Sequence, residues 1–344
     1  MDYGLLLLGE HDPRDTARLA LLAEAGGFRD LWFADEKFYR DPFVSLAHLA
    51  QRTHTLRLGT CVTDPFTRHP SLIAVAAASL DEVSGGRAVL GLGAGFSGLE
   101  AMGVHRAHLV PTMRLAVDSI RRLWAGETVH AQCEAFTLRQ TSLNFSARKE
   151  IPILVASASR QMLRLAGEVA DEVMLGDLGS AGVLRPALSE VDRGATEARR
   201  PAGAPPRIAR LNLVLADDVE SARQAVRPWI LAYLWHAYPN WTRLLDYAPE
   251  WEERLKPLKD FIAARGGRPR NVGDREQVLP YAPLLPAALV RRYALAGRPA
   301  DVVEQISEIA ACGISAIALF PTPLPGQTTE SVLRQFLERV LPET

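Results

Sequence analysis

The residues best equipped for chemistry sit in short polar loops that follow apolar runs. Asp35-Glu36 follows Leu31-Trp32-Phe33, and Glu10-His11 follows Tyr3 to Leu8. If those runs are parallel strands, the four titratable groups ring one side of a shared mouth. Adjacent residues at a strand end diverge, so one of Asp35 and Glu36 is expected to face the cavity while the other braces a loop. A carboxyl group beside Trp32 and Phe38 would meet an apolar rim that favours its protonated form and suits it to general-acid work. The plainer alternative is a solvated salt bridge with Lys37 or Arg40.

A second candidate is Gly93-Ala94-Gly95-Phe96-Ser97-Gly98, which satisfies G-x-G-x-x-G after an apolar run. Its context argues against a dinucleotide fingerprint, because Pro111 interrupts the region where the helix should run and Asp118 falls inside a helical pattern rather than at a strand end. The glycines still allow close backbone approach to a ligand. Ser157-Ala158-Ser159-Arg160-Gln161 precedes a helical run, so Ser159 can cap the helix, or the first-turn amides and Arg160 can hold a phosphate; the two stand level. His105 and His108 lack an acidic or cysteine partner at ligand spacing, which disfavours metal. No Gly-x-Ser-x-Gly elbow or P-loop lysine motif occurs. The stretch Leu58 to Pro70 passes from a strand ending through a polar, proline-punctuated loop into a helix.

The elements that must position these loops repeat with one period. Asp12-Pro13 and Asp41-Pro42 read as a cap with proline at the first helical position, and each introduces a helix that leads to a further strand. Apolar runs at Tyr3–Leu8, Leu31–Phe33, Leu56–Thr60, Ala88–Gly95 (running into a glycine-rich loop), Ile153–Ala156, Glu172–Leu175, Ile208–Leu215 and Ala316–Phe320 alternate with helical patterns. Among these are helices from about Thr112 to Trp124, Ser159 to Val169 and Pro299 to Ala311. Eight strands alternating with helices predict an α/β fold, a closed (β/α)8 TIM barrel, over an open sheet. The segment 129–145 is expected to be irregular or a hairpin at the barrel's edge. The segment 232–286, rich in aromatics (Tyr233, Trp235, Tyr238, Trp241, Tyr247, Trp251), is a helical, aromatic insertion before the last strand, expected to serve as a lid or substrate-pocket wall. The 344 residues are expected to form one domain.

Composition narrows the class. Apolar residues make up 48% and charged residues 23%, within the globular range. Net charge is −1, from 39 basic and 40 acidic residues without a basic stripe, so nucleic acid is not an expected partner. Leu5 to Leu8 is too short for a signal peptide or membrane span, and Cys61, Cys133 and Cys312 are scattered and odd in number. A cytoplasmic protein with no membrane contact is the expectation.

Several of these stretches, taken together, resemble the bacterial luciferase-like superfamily. They are Trp32-Phe33-Ala34-Asp35 with Arg40-Asp41-Pro42, Leu58 to Pro70, Gly86-Arg87 with Leu90 to Gly95, Met162 to Gly167 with Ala170-Asp171, and Ala294 to Gly297. Within the superfamily the chain is similar to the deazaflavin (coenzyme F420)-dependent reductases of the methylenetetrahydromethanopterin reductase type. The resemblance implies a (β/α)8 barrel, a homodimer, and hydride transfer between reduced F420 and a small organic substrate. It also implies a non-prolyl cis peptide beneath the cofactor ring, by position Cys61-Val62.

By the same resemblance, the cofactor is expected to contact Gly9, Asp35, Thr60, Cys61, Val62, Thr63, Gly93, Ala94 and Gly95, with the turn Ala156, Ser157, Ala158, Ser159, Arg160, Gln161 and Met162 at its phosphate. Many relatives have Gly-Pro where Arg160-Gln161 stands. Many also have Asp-His after the second strand, where this chain has Asp35-Glu36, and some have an acid at the position of Phe96, with Glu100 four residues later here. Glu36, with Asp35 beside it, is therefore the expected proton donor or relay. An FMN-dependent monooxygenase using reduced flavin and oxygen is the alternative, and a non-catalytic partner subunit a third.

Overall fold

The computed structural model describes residues 1–95, 98–99, 101–237, 249–265 and 272–344. In chain order the first half runs β1 (Asp2–Leu7), α1 (Pro13–Ala25), β2 (Asp30–Phe33), α2 (Pro42–Ala50), β3 (Arg57–Thr60), α3 (Pro70–Ser84), β4 (Ala88–Leu92) and α4 (Leu109–Trp124). Next come β5 (Val129–Gln132), β6 (Thr137–Thr141), β7 (Ile153–Ser157), α5 (Arg160–Val169), β8 (Glu172–Gly176), α6 (Ala181–Glu197) and β9 (Arg207–Leu215). The remainder is α7 (Val219–Ala237), α8 (Trp251–Arg254), α9 (Lys256–Arg265), a 3₁₀ stretch (Val272–Leu284), α10 (Ala287–Tyr293), β10 (Ala294–Gly297), α11 (Pro299–Ala310), β11 (Ala316–Pro321) and α12 (Thr329–Arg339).

The strands pair in the order β9, β11, β1, β2, β3, β4, β7, β8, with β8 returning to β9, so eight parallel strands close into a (β/α)8 barrel. β10 is an addition, pairing in parallel with the last residues of β9 from Ala294↔Asn212 to Gly297↔Leu215. β5 and β6 form a separate antiparallel hairpin, within the segment expected to be irregular or hairpin-like. Two compact units are distinguished: Asp2–Met174 with Glu190–Pro206, and Leu175–Ser189 with Arg207–Thr344.

In the first unit, strand after strand is buried along its length, as a parallel sheet covered on both faces requires. Trp32 is among the largest side chains enclosed there, at 1% exposure, and it fits because glycines face it. A Cβ on Gly59 would stand 2.3 Å from the indole Cζ3, and one on Gly4 2.7 Å from Nε1. Each early helix starts on the same device. Asp12 accepts from the Arg14 amide, Asp41 from those of Phe43 and Val44, and His69 from that of Ser71, with proline next in line every time.

The amino ends of the strands are tied by charge. Arg57 donates to Asp30 at 2.7 Å and, through both terminal nitrogens, to Glu172 at 2.8 and 3.1 Å. Burial opposes that guanidinium's charge, but the two carboxylates outweigh it and hold its pKa above the ordinary value. The Gly86-Arg87 mark has a structural reason as well. The Arg87 guanidinium donates to the carbonyls of Ala50, Thr53, Leu56 and Ser84 and to the Thr53 hydroxyl, at 2.7 to 3.2 Å, stitching the end of α2 to the start of β4.

In the second unit, part of the aromatic insertion packs on itself. Trp235 is fully buried against Phe261 at 5.8 Å, and Phe261 lies 5.2 Å from Tyr281. Those rings build the insertion's own core. Tyr238, Trp241 and Tyr247 lie outside the described residues. α4 begins at Leu109, three residues earlier than the sequence suggests, because Pro111 falls in its first turn, where proline's missing N–H costs nothing. Pro111 thus does not interrupt the helix.

Candidate active site

The expected site residues all lie in the first unit, at the carboxyl ends of β1, β2, β3, β4 and β7, on the loops that follow them or in the first turn of α5. The loop after β3 is the most tightly specified. Thr60 is buried and joins β3 to β4 twice: its hydroxyl donates to the Gly91 carbonyl at 2.8 Å and accepts from the Gly91 N–H at 3.0 Å. The Cys61–Val62 peptide is cis, at the bond expected. Thr63 then rejoins β4, its N–H donating to Gly91 at 3.0 Å and its carbonyl accepting from Gly93 at 2.9 Å. This approach needs glycine. A Cβ on Gly91 would stand 1.9 Å from the Thr60 carbonyl oxygen, and one on Gly93 2.4 Å from Val62 Cγ2.

Asp64 continues the loop with no exposure at all. Its Oδ1 accepts from the amides of Phe66 and Thr67 at 2.9 and 2.8 Å, and its Oδ2 from the Thr67 hydroxyl at 2.8 Å, an Asx turn that fixes the chain before α3. Lys37 Nζ stands 3.0 Å from Asp64 Oδ2 and 3.3 Å from Asp35 Oδ1, and it donates to the Asp35 carbonyl at 3.2 Å. Its side chain is 9% exposed, so the pairs are screened far less than surface ones. Gly98, at φ 69°, lies against Lys37, where a Cβ would come within 2.5 Å of the lysine Cβ. The Lys37 ammonium thereby ties the loops after β2 and β3, while its aliphatic stem lies against Gly98 of the loop after β4.

Asp35 is the brace of its pair. Its Oδ1 faces Lys37, while its Oδ2, without a hydrogen bond among the described residues, has Arg68 Nε 3.9 Å away. Arg68 donates instead to Asp41 at 2.7 Å and lies over the Phe43 ring. Burial raises the Asp41 pKa, but the Arg68 fork and the amides of Val44 and Phe43 outweigh it and hold that carboxyl below its usual range. Arg40 is not a partner of Asp35; it donates to the carbonyls of Gly9 and Glu10 at 2.8 and 3.1 Å. Gly9 receives that loop, since a Cβ there would stand 2.8 Å from the Arg40 nitrogen. Glu36 is half-buried, its carbonyl accepting from the Tyr39 amide at 3.3 Å. Phe38, expected at an apolar rim, is 69% exposed and turns away, its φ of 69° directing the chain outward.

After β4, the half-buried Ala94 and Gly95 offer their carbonyls to Arg106. Phe96 and Glu100 lie outside the described residues. After β7, Ala156, Ser157 and Ala158 are half-buried, and Ser159 caps α5, its hydroxyl accepting from the Met162 amide at 3.4 Å while its own N–H donates to Ser157 at 3.0 Å. Met162 is buried, whereas Arg160 and Gln161 are exposed, and helix geometry leaves their amides without intrahelical partners. Capping by Ser159 and an anion site at those amides are therefore compatible.

Among the described residues, the buried side-chain oxygens without a hydrogen-bond partner are Asp35 Oδ2, Thr63 Oγ1 and Ser119 Oγ, and the first two belong to these loops. Buried polar groups are ordinarily bonded, so this pair fits the polar edge of a ligand. Sequence reasoning named Lys37 only as a salt-bridge partner in the plainer alternative, a pairing that its 3.3 Å approach to Asp35 bears out, and gave no role to Asp64, Arg68 or Arg106. Signals existed for two of these four. Only four of the 39 basic residues are lysines, so Lys37 stands out in an arginine-using chain, and Asp64-Pro65-Phe66-Thr67 has the Asx-turn pattern.

The sequence profile of the luciferase-like monooxygenases matches residues 1–316. A 5,10-methylenetetrahydromethanopterin reductase of Archaeoglobus fulgidus is 29% identical over 318 residues, which cover 92% of each chain. A phthiodiolone/phenolphthiodiolone dimycocerosates ketoreductase of Mycobacterium bovis is 31% identical over 317 residues, 88% of this chain and 78% of that protein. The solved coenzyme F420 dependent tetrahydromethanopterin reductase of Methanopyrus kandleri superposes with a TM-score of 0.80 over 99% of this chain and 98% of its own, at 22% identity, a likeness of fold.

Proposed function

The chain belongs to the luciferase-like monooxygenase family, and from that premise we propose that it is an F420-dependent oxidoreductase moving a hydride between reduced deazaflavin and a small organic substrate. The observation that carries this is the match, over 92% of the chain, to a 5,10-methylenetetrahydromethanopterin reductase. The two unpartnered oxygens of Asp35 and Thr63 support it, because they would meet a flat heterocycle with polar edges.

Bound there, the deazaflavin would supply the hydride. The chain's own residues would do the rest. Thr60, Cys61, Val62 and Thr63 would form the floor, with Gly93, Ala94 and Gly95 beside them and Gly9 holding the loop that carries Asp35. Ala156, Ser157, Ala158, Ser159, Arg160, Gln161 and Met162 would form the phosphate turn, the first-turn amides of α5 favouring negative charge. Glu36 would deliver the proton to the substrate atom left electron-rich by hydride arrival, while Asp35, held by Lys37, would keep the loop in place. The same proposal takes the chain as one domain with 232–286 as the pocket wall, working in the cytoplasm as a homodimer. None of the described helices is long and apolar enough to cross a membrane.

An FMN-dependent monooxygenase is the second possibility, favoured by the profile that matches residues 1–316. A fluorescence titration of the purified protein with oxidised F420 and, separately, with FMN tests the proposal. F420 is expected to bind at least about tenfold tighter, a difference of about 1.4 kcal/mol. Tighter FMN binding would favour the monooxygenase, and binding of neither would leave a non-catalytic subunit.

A further inference from the structure

In the second unit, Arg210 occupies the middle of β9, a strand otherwise apolar around it, and its side chain is 17% exposed. One nitrogen carries its bonds. Nη1 pairs with Asp177 Oδ1 and donates to Asn212 Oδ1 at 3.0 Å, while Asn212 in turn donates to the Thr322 hydroxyl at 2.8 Å. The Asp177 amide also donates to the Arg210 carbonyl at 2.9 Å, so the aspartate is fixed at both ends. The Phe320 ring lies 5.2 Å beneath the guanidinium carbon and fixes its plane.

A structural arginine–carboxylate pair ordinarily uses two parallel bonds. Here both bonds share Nη1, and among the described residues nothing engages the Nε/Nη2 edge. That edge presents two parallel N–H groups held in place on three sides, the geometry that takes a carboxylate. The Phe320 ring under the guanidinium is itself met edge-on by Trp229 at 4.9 Å, and Tyr233, close enough to feel the Asp177 charge, lies 5.2 Å from Tyr293. Burial, the Tyr293 phenol and the Asp177 charge together raise the Tyr233 pKa well above the ordinary value, so that phenol stays a donor. Asp177 lies just past the end of β8 and Thr322 just past the end of β11, at the carboxyl ends of strands where barrels bind their ligands.

We propose that Arg210 is an anion-recognition residue whose free Nε/Nη2 edge binds the carboxylate of an organic ligand with an apolar or aromatic body. Identifying that ligand with the substrate rests on the oxidoreductase assignment; the binding site itself does not. The test uses probes that differ in one group. Acetate and benzoate are titrated calorimetrically into the full-length protein beside acetamide and benzamide, with F420 titrated separately. Benzoate is expected to bind at least about tenfold tighter than benzamide, and acetate more weakly than benzoate. Arg210→Met and Arg210→Lys should each lose that preference, since lysine lacks the planar fork, with F420 affinity unchanged. Equal binding of acid and amide, or none, overturns the proposal, and the wild-type comparison decides even if neither variant folds. Loss of F420 binding with the benzoate preference intact would overturn the cofactor assignment alone.

Discussion

Thr63→Val should strengthen the empty protein and weaken its complex. Thr63 has no exposure, and its hydroxyl has no partner in the described structure. A buried hydroxyl without a hydrogen bond costs about 1–3 kcal/mol, so exchanging it for a methyl group of similar shape should raise the unfolding free energy by about that amount. If the hydroxyl meets the cofactor, the variant loses one hydrogen bond worth about 0.5–1.5 kcal/mol, or roughly two- to tenfold in affinity. Thr60→Val, three residues away, is the internal control. Its hydroxyl both donates and accepts at Gly91, so its loss should destabilise by about 1–3 kcal/mol. Denaturant unfolding of the apoprotein and fluorescence titration with F420 read the two quantities. A Thr63→Val protein that is less stable by more than 1 kcal/mol, yet binds F420 as the wild type does, would refute the assignment of that hydroxyl.

Further outcomes follow from the same geometry. Lys37→Met strands two buried carboxylates and should cost about 3–5 kcal/mol, with a double-mutant cycle against Asp35→Asn giving a coupling above 1 kcal/mol in urea unfolding. Gly93→Ala should lower the melting temperature and be rescued by Val62→Ala, whereas Gly91→Ala, which meets backbone at 1.9 Å, should find no rescue. Glu24 accepts from the amides of His54, Thr55 and Leu56; burial raises its pKa, but those donors outweigh it and set it below 4.5. Its contribution is therefore complete above that value and fades as pH falls through the lowered folded-state pKa. The stability gap between wild type and Glu24→Gln, measured from pH 7 downward, should narrow only below 4.5.

The barrel was legible because its signals are local and repeated. Asp12-Pro13 and Asp41-Pro42 punctuate the period, and buried strands read as continuous apolar runs. The element β10 was hidden by its length, four residues of alanine, leucine and glycine that pair with the end of β9. At the site, sequence position located the loops and the bond Cys61–Val62, but direction within a loop was not readable. Phe38 turned outward on a positive φ, and Lys37 met Asp64 through chain folding that brings residue 64 to residue 37. Arg210 drew no notice for a similar reason. Nothing in the run Ile208 to Leu215 shows that residues 177, 212 and 320 will surround it.

The central claim is hydride transfer from reduced F420, and turnover measures it most directly. Purified protein is incubated anaerobically with reduced F420 and a panel of carbonyl, imine and methylene-bridged acceptors, and aerobically with reduced FMN and the same compounds. The account predicts acceptor-dependent oxidation of F420 without oxygen, greatly slowed in Glu36→Gln while F420 binding is kept. Acceptor-dependent oxygen consumption with reduced FMN, and none of the anaerobic reaction, would contradict it.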